Sequence, residues 1–374
     1  MADTSTGNTG AGVANAGMTG YVRNAWYVAA WSHELETEKP YAMKILGEPI
    51  VMWRNAEGAV TALEDRCVHR LAPLSLGRCE GEKLRCMYHG LLFAPDGRVV
   101  EIPGQDMIPA QARVKSYPIV DRHSWIWVWM GDADAADPAL IPEAVGLDHP
   151  DYILGHGHLD YAAEARLIND NLLDFAHLSY VHANSFGASE TWARVRPKVT
   201  QLERGIRFER WLVSEPRMLT REGDDGHKVE ADAWSTYDFV VPGILLMPSG
   251  NYPPGTAAAS GMNPPDPSLQ AAGVTFTSQA VTPMTEKTSR YFFSWGPRRD
   301  CGDEKLRDIL MGIADMAFGE DKLMIERQQL VIDGTPGHRV MPTSSDKGVV
   351  LFNRLVERMI REETEPREAL AAAE

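Results

Sequence analysis

Cysteine is scarce: Cys67, Cys79, Cys86 and Cys301 are the only four in 374 residues, which excludes a disulfide-built scaffold. No run of about 18 apolar residues occurs, so no membrane-spanning helix is expected. Positive charge is in deficit, with 37 Lys and Arg against 52 Asp and Glu and a formal net charge of −15. That balance excludes nucleic acid or an anionic membrane as the main partner. Residues 1–17 have neither a basic start nor an apolar core. They read as a disordered leader rather than a secretory signal, with Met18 as an alternative start, and a cytoplasmic, bacterial setting is expected. No internal repeat is found.

Hydrophobic residues at 44% and charged residues at 24% suffice for sizeable cores, and the length predicts two domains. From Tyr21 to about Asp132, short apolar runs such as Pro49–Trp53 and Val60–Leu63 alternate with Gly and Asp turns, predicting an antiparallel β domain. Trp125, Trp127 and Trp129, at spacing two, share one face of a strand and are read as core. The Ala-, Asp- and Pro-rich stretch 131–150 reads as a boundary. Beyond it, Glu164–Tyr180 is helical in pattern, and long strands are expected near 195–213, 229–250 and 273–295, with loops at Arg221–Gly226 and Gly250–Pro267. A final long helix is expected from about Asp303 to Ile332. The fold class is therefore α+β, divided as leader 1–17, β domain 18–135, α+β domain 136–361 and flexible tail 362–374.

Chemistry is concentrated first in Cys67-Val68-His69, followed after sixteen residues by Cys86-Met87-Tyr88-His89. Each segment offers one thiolate and one imidazole. Two such loops can hold a [2Fe–2S] cluster with two Cys on one iron and two His on the other, at a potential of about −150 to +300 mV against about −400 mV for all-Cys ligation. Pro73, Gly77 and Gly90 supply the turns that pinch the loops together. A structural zinc site is the competing reading, but such sites pair Cys with Cys and His with His. Cys79 and Cys301 fit neither spacing and are read as buried small hydrophobes.

Cys67-x-His69-Arg70 with Cys86-x-x-His89-Gly90 resembles the Rieske motif of ring-hydroxylating and O- or N-dealkylating oxygenases. The opening Asn24-Ala25-Trp26-Tyr27-Val28-Ala29 and the Trp-rich strand resemble the branch containing vanillate demethylase, dicamba demethylase and chloroacetanilide N-dealkylase, over about residues 20–335. The resemblance implies an antiparallel β Rieske [2Fe–2S] domain followed by a catalytic domain with a helix-grip-like antiparallel sheet. It also implies a mononuclear Fe(II), O₂ as co-substrate, electrons from NAD(P)H through a reductase and a ferredoxin, and a homotrimer.

Non-haem iron that activates O₂ uses two His and one carboxylate, leaving other positions open. His177 and His182 are the imidazole candidates. Residues five apart diverge by about 140° on a regular helix, so the helix must end or bulge between them. Asn171, Asp174 and His177 would share one helical face. In the last long helix, Leu306, Leu310, Ile313, Ala317, Asp321, Met324 and Gln328 form a stripe that places Asp321 among apolar residues. A buried carboxylate needs a partner, and a metal is one; an arginine or a turn cap would serve equally on these grounds alone. The resemblance assigns Asp321 as the third ligand. It also makes Asp174 the bridge that accepts a hydrogen bond from His177 and, across a subunit interface, from a cluster-ligand His of the neighbour. Asn171 is placed beside the iron without binding it.

Between Arg66 and Arg98, six basic residues face three acidic ones, a local charge of +3 that suits an acidic ferredoxin. The strands from Val240 to Asn251 and Gly273 to Trp295 are expected to line the substrate pocket, with Met247, Gln279 and Trp295 as pocket residues. Gln279 and Met247 stand where relatives acting on aromatic acids tend to have His and Asn. This favours a neutral substrate and hence N-dealkylation of a chloroacetanilide-type herbicide. O-demethylation of an aromatic acid, ring cis-dihydroxylation and electron transfer by the cluster alone are the alternatives.

Overall fold

The computed structural model describes residues 18, 20–186, 188–216, 230–269 and 271–371. The leader, the 221–226 loop and residues 372–374 lie outside these. Among the described residues no helix is long and apolar enough to cross a membrane.

The first half is built of short strands: β1 (Trp26–Trp31), β2 (Tyr41–Ile45), β3 (Glu48–Arg54), β4 (Val60–Glu64), β5 (Arg78–Glu80), β6 (Lys83–Arg85), β7 (Leu92–Phe93), β8 (Val99–Glu101), β9 (Ile119–Arg122) and β10 (Trp125–Trp129). They form three antiparallel sheets, β1-β10-β9, β2-β3-β4 and β5-β6-β7-β8. The second half is one seven-stranded antiparallel sheet. Its strands are β11 (Gly155–Tyr161), β12 (Lys198–Leu202), β13 (Gly205–Pro216), β14 (Glu230–Val240), β15 (Ile244–Tyr252), β16 (Ala272–Thr285) and β17 (Thr288–Pro297), in the order β11-β17-β16-β15-β14-β13-β12. Helices α1 (Ala165–Leu172), α2 (Glu190–Arg194), α3 (Thr256–Ala259), α4 (Glu304–Gly334) and α5 (Lys347–Ala371) complete the chain.

The alternation in β10 joins the halves. Trp125, Trp127 and Trp129 turn one way and pack with Trp26 and Trp31 against Ile244, Ala280 and Phe292 of the large sheet. Ile126 and Val128 turn the other way into a core shared with α1, α4 and α5. Aromatic rings bury roughly 150–250 Å² each, so this face is the main apolar weld between the sheets. A polar stitch accompanies it: Thr282 Oγ1 donates to Val28 O at 2.6 Å.

Several expectations change. The three long strands are three hairpins, because β12/β13 and β16/β17 turn at Glu203-Arg204 and Glu286-Lys287, pairs without the Gly or Asn that marks a tight turn. Residues 164–180 are not one helix: α1 ends at Leu172, and His177–Ser179 is a separate 3₁₀ turn. The long helix is in place, with the Asp303 side chain capping Leu306 N–H at 2.9 Å. Its buried stripe continues through Ile325 and Gln329, whereas Met324 and Gln328 are exposed.

The largest departure is α5, which is helical through Ala371 where a flexible tail was expected from 362. Phe352 and Leu355 are buried and Val356, Met359 and Ile360 pack beside them, an i, i+3, i+4, i+7 spacing that carries the helical signal. Near its end Glu363 accepts the main-chain N–H groups of Arg23 (2.9 Å) and Asn24 (2.7 Å), just before β1. Hydrogen bonds to a charged group contribute about 1.5–3 kcal/mol each, partly offset here by solvent. Glu363→Ala should therefore lower unfolding stability by about 2 kcal/mol in denaturant titration, while Glu362→Ala, which leaves this clamp intact, should not.

Candidate metal centres and substrate cavity

The loops after β4 and β6 repeat one hydrogen-bond pattern. Cys67 N–H donates to Ala72 O and Cys86 N–H to Leu91 O, both at 2.8 Å. Leu71 N–H returns to Cys67 O at 3.0 Å and Gly90 N–H to Cys86 O at 2.9 Å. The closing residue is left-handed in both, Leu71 at φ 58° and Gly90 at φ 77°. Gly77 serves differently. Its φ is ordinary, but a Cβ would lie 2.5 Å from Arg85 O, so the loops meet only over a glycine.

This symmetry places Cys67 and Cys86 together and buried, as free thiols, while His69 and His89 stand exposed with ring centroids 4.5 Å apart. Burial pushes the Cys67 thiol up, against the N–H groups of His69 and Arg70 that favour its thiolate; nearby Cys86 adds to the rise. Two sulfurs within and two imidazoles at the rim are the donor set a [2Fe–2S] cluster with mixed ligation requires. Cys79 and Cys301 are half-buried rather than buried: Cys79 packs beside this core and Cys301 lines the cavity described below.

Four of the six basic residues around this tip are already engaged, Arg66 with Glu64, Arg78 with Glu80, Arg85 with Glu80 and Glu101, and Arg98 with Asp96. Arg70 and Lys83 have no ion-pair partner among the described residues, so the positive field is narrower than the local charge of +3 implies.

The second centre lies where the irregular segment after α1 meets α4. His177, His182 and Asp321 bring ligand atoms within 4.8 Å of one another. His177 Nε2 is 3.7 Å and His182 Nε2 3.1 Å from Asp321 Oδ1. Each ring is fixed through its other nitrogen: His177 Nδ1–H donates to the main-chain carbonyl of Asp174, and His182 Nδ1–H to Glu320 Oε2 at 2.9 Å. Both Nε2 lone pairs are thus left for the space beside Asp321. His182 is fully buried, and its Nε2, despite its short distance to Asp321, lacks the alignment of a hydrogen bond and has no partner. A buried nitrogen in that state fits a metal ion. Burial holds the His177 imidazole below its usual range, keeping it in the neutral, ligating form. For His182 burial also lowers, but the hydrogen bond and charge of Asp321, and Glu320 behind them, raise the ring overall.

Neither histidine sits on a regular helix, so the five-residue spacing needs no bulge, and Asn171, Asp174 and His177 do not share a helical face. Asn171 Nδ2 donates to Asp321 Oδ1 at 3.0 Å and orients it. Asp174 accepts from His177 through its backbone, while its carboxylate caps Ala176 N–H at 2.8 Å.

Two supports have no counterpart in the sequence reading. Glu320 also accepts Ser185 Oγ–H at 2.7 Å, so adjacent acids on α4 hold both nitrogens of His182. A pair of neighbouring acids, one on the apolar stripe, was the available signal. Replacing Glu320 with Ala should weaken iron binding about 10–100-fold with the cluster unaffected, as measured by chelator competition. Arg210 on β13 is buried between the rings of Phe175 (5.6 Å) and Trp192 (5.4 Å) and donates to Trp192 O at 3.1 Å. It fastens the irregular metal-bearing segment to the sheet, helped by the stacked rings of Phe175, Tyr237 and Phe208.

A cavity of about 980 Å³ opens from this triad, with Met247, Gln279 and Trp295 in its wall. Gln279 is buried, its Nε2 donates to Thr277 Oγ1 at 3.2 Å, and its Oε1 has no partner.

Comparison with known proteins matches residues 25–118 to the Rieske [2Fe-2S] domain and 161–362 to the vanillate O-demethylase oxygenase C-terminal domain. The toluene-4-sulfonate monooxygenase system iron-sulfur subunit TsaM1 of Comamonas testosteroni is 37% identical, over 92% of this chain and 98% of that protein. The oxygenase component of chloroacetanilide N-alkylformylase from Rhizorhabdus wittichii is 33% identical, over 94% and 99%. Dicamba monooxygenase bound to 3,6-dichlorosalicylic acid superposes with a TM-score of 0.81 at 30% identity, covering 92% of this chain and 99% of that one. The same enzyme with non-haem iron and dicamba gives 0.75 at 28% identity, covering 93% and 99%.

Proposed function

Since the chain belongs to the Rieske oxygenases with a vanillate O-demethylase-type catalytic domain, and is the oxygenase component of such a monooxygenase, we propose that it oxidises an alkyl carbon carried by a small aromatic molecule. Where that carbon is attached through oxygen or nitrogen, the product is a hemiacetal or hemiaminal that collapses, so the outcome is O- or N-dealkylation. The observation that carries the reading is the buried His177, His182 and Asp321 set at the wall of a large cavity.

In this reading Cys67, His69, Cys86 and His89 hold the cluster, and His177, His182 and Asp321 hold iron(II). Together these groups supply electron transfer and reductive use of O₂ when bound. The chain's own residues do the rest. Asn171 and Glu320 keep the ligands in place, and Asp174 fixes His177 in the tautomer that presents Nε2. Trp295 and Met247 give the cavity an apolar face for an aromatic ring, and the open Oε1 of Gln279 is an acceptor for a donor on the substrate. The β Rieske part is taken as 18–135 and the catalytic part as 136–361.

His69 and His89 stand at the surface, within reach of another protein. This supports electron delivery from a ferredoxin and reductase near Arg70. It also supports a homotrimer in which one subunit's cluster serves the neighbour's iron across Asp174. Rates with a ferredoxin should fall as salt rises, modestly, since most of the local charge is already paired.

The substrate is proposed at the level of class. Gln279 and Met247 favour a neutral anilide, whereas the name of one relative carries a sulfonate anion. Purified protein with electron donors and a panel of aryl ethers, N-alkoxyalkyl anilides, aromatic acids and arenesulfonates separates these. Aldehyde or alcohol formation matched to O₂ uptake supports the reading. A cis-diol would replace it with ring dihydroxylation, and cluster reduction with no mononuclear iron would leave only electron transfer.

A further inference from the structure

A second group of ring nitrogens lies away from both centres, where the N-terminal sheets meet the edge of the large sheet. We propose that His33 and His156, with His158 beside them, bind one divalent ion of the imidazole-preferring transition-metal class and thereby clip the two halves of the molecule together. This does not depend on the oxygenase reading.

His33 lies in the 3₁₀ turn Ser32–Glu34 that follows β1. His156 and His158 occupy alternate positions of the edge strand β11 and so project from the same face. The His33 and His156 rings meet edge-on with centroids 4.6 Å apart and planes at 75°, and their Nε2 atoms are 3.2 Å from each other. With metal–nitrogen bonds of about 2.0–2.1 Å, two imidazoles on one ion hold their nitrogens about 2.9 Å apart at a right angle and about 3.3 Å apart at the tetrahedral angle. The observed separation falls within that bite.

The surroundings hold this arrangement. The Trp31 ring packs against His156 with centroids 5.1 Å apart. Glu34 accepts Trp31 N–H through Oε2 at 2.9 Å and sets Oε1 3.5 Å from His158 Nδ1, so a carboxylate and a third imidazole flank the pair. Partial burial and the neighbouring His33 push the His156 imidazole down, toward its neutral form. Without an ion, one Nε2–H donates to the other Nε2. Ligation moves that proton to the Nδ1 of the same ring, so both rings stay neutral, no proton is released, and water fills the remaining positions. Imidazole ligation suits Zn²⁺, Ni²⁺ and Cu²⁺.

The test uses protein loaded with cluster and iron, titrated with Ni²⁺ alone. Calorimetry follows binding, elemental analysis confirms that iron stays in place, and a thermal melt follows stability. The expected result is one Ni²⁺ per chain beyond the irons and a raised melting midpoint. Binding should weaken at least about tenfold in both His33→Ala and His156→Ala, and less in His158→Ala. Requiring one residue from each half distinguishes a clip from local binding on β11. Both variants should keep the cluster absorbance; if either does not, His33→Gln and His156→Gln replace them. No extra Ni²⁺, or equal affinity in the variants, overturns the proposal and leaves a hydrogen-bonded histidine pair.

Discussion

Asp321→Ala should yield a protein that keeps its cluster and loses its mononuclear iron. Asp321 is 5% exposed and lies between the two imidazoles, with Asn171 as its only hydrogen-bond donor. Outer supports of a metal cost about 10–100-fold in affinity when removed, and a direct ligand should exceed that, so oxygenase turnover should fall by at least about 100-fold. The rest of the fold should be little affected, because removing a buried carboxylate also removes a desolvated charge. Iron content, cluster absorbance and substrate oxidation, measured on one preparation, check the three parts. Undiminished turnover in this variant would remove the triad from the chemistry.

A change of similar size, on the other centre, is expected from His89→Cys. The loop geometry does not depend on the ring: Gly90 closes the turn and the Cys86 hydrogen bonds are main-chain. His89 itself is exposed, so the exchange disturbs no packing. A third thiolate replaces a neutral ligand with an anion, which disfavours the reduced cluster. The potential should drop by on the order of 200 mV, part of the way from mixed to all-Cys values. With the same donor the cluster should then remain largely oxidised and turnover should collapse, although iron at His177, His182 and Asp321 is retained. Spectroelectrochemistry reads the potential directly, and an unchanged value would remove His89 from the ligand set.

The residues whose chemistry is local were the legible ones. Two Cys and two His at fixed offsets form matching loops because the turn geometry is written within each segment. Asp321 stood out because a carboxylate on an apolar helical stripe is anomalous wherever the helix packs. Legibility failed where position depends on distant partners. His177 and His182 come together on irregular backbone held by Arg210, Phe175 and Glu320, none adjacent to them in space by any short-range rule. Charged two-residue turns concealed three hairpins, and a polar composition concealed α5, whose apolar spacing was present but sparse. Asp174 shows a finer limit: the residue was identified, yet the atom that meets His177 is its backbone oxygen.

The bond from Glu363 to Arg23 and Asn24 spans 340 and 339 positions of sequence. On a ribosome the strand that starts the first sheet emerges early, and the carboxylate that finishes it emerges almost last. Contacts of such separation are slow to form, because the loop they close must first be ordered. The amino-terminal half therefore waits, incompletely latched, for nearly the whole time of synthesis, and its final consolidation is an event of release rather than of elongation.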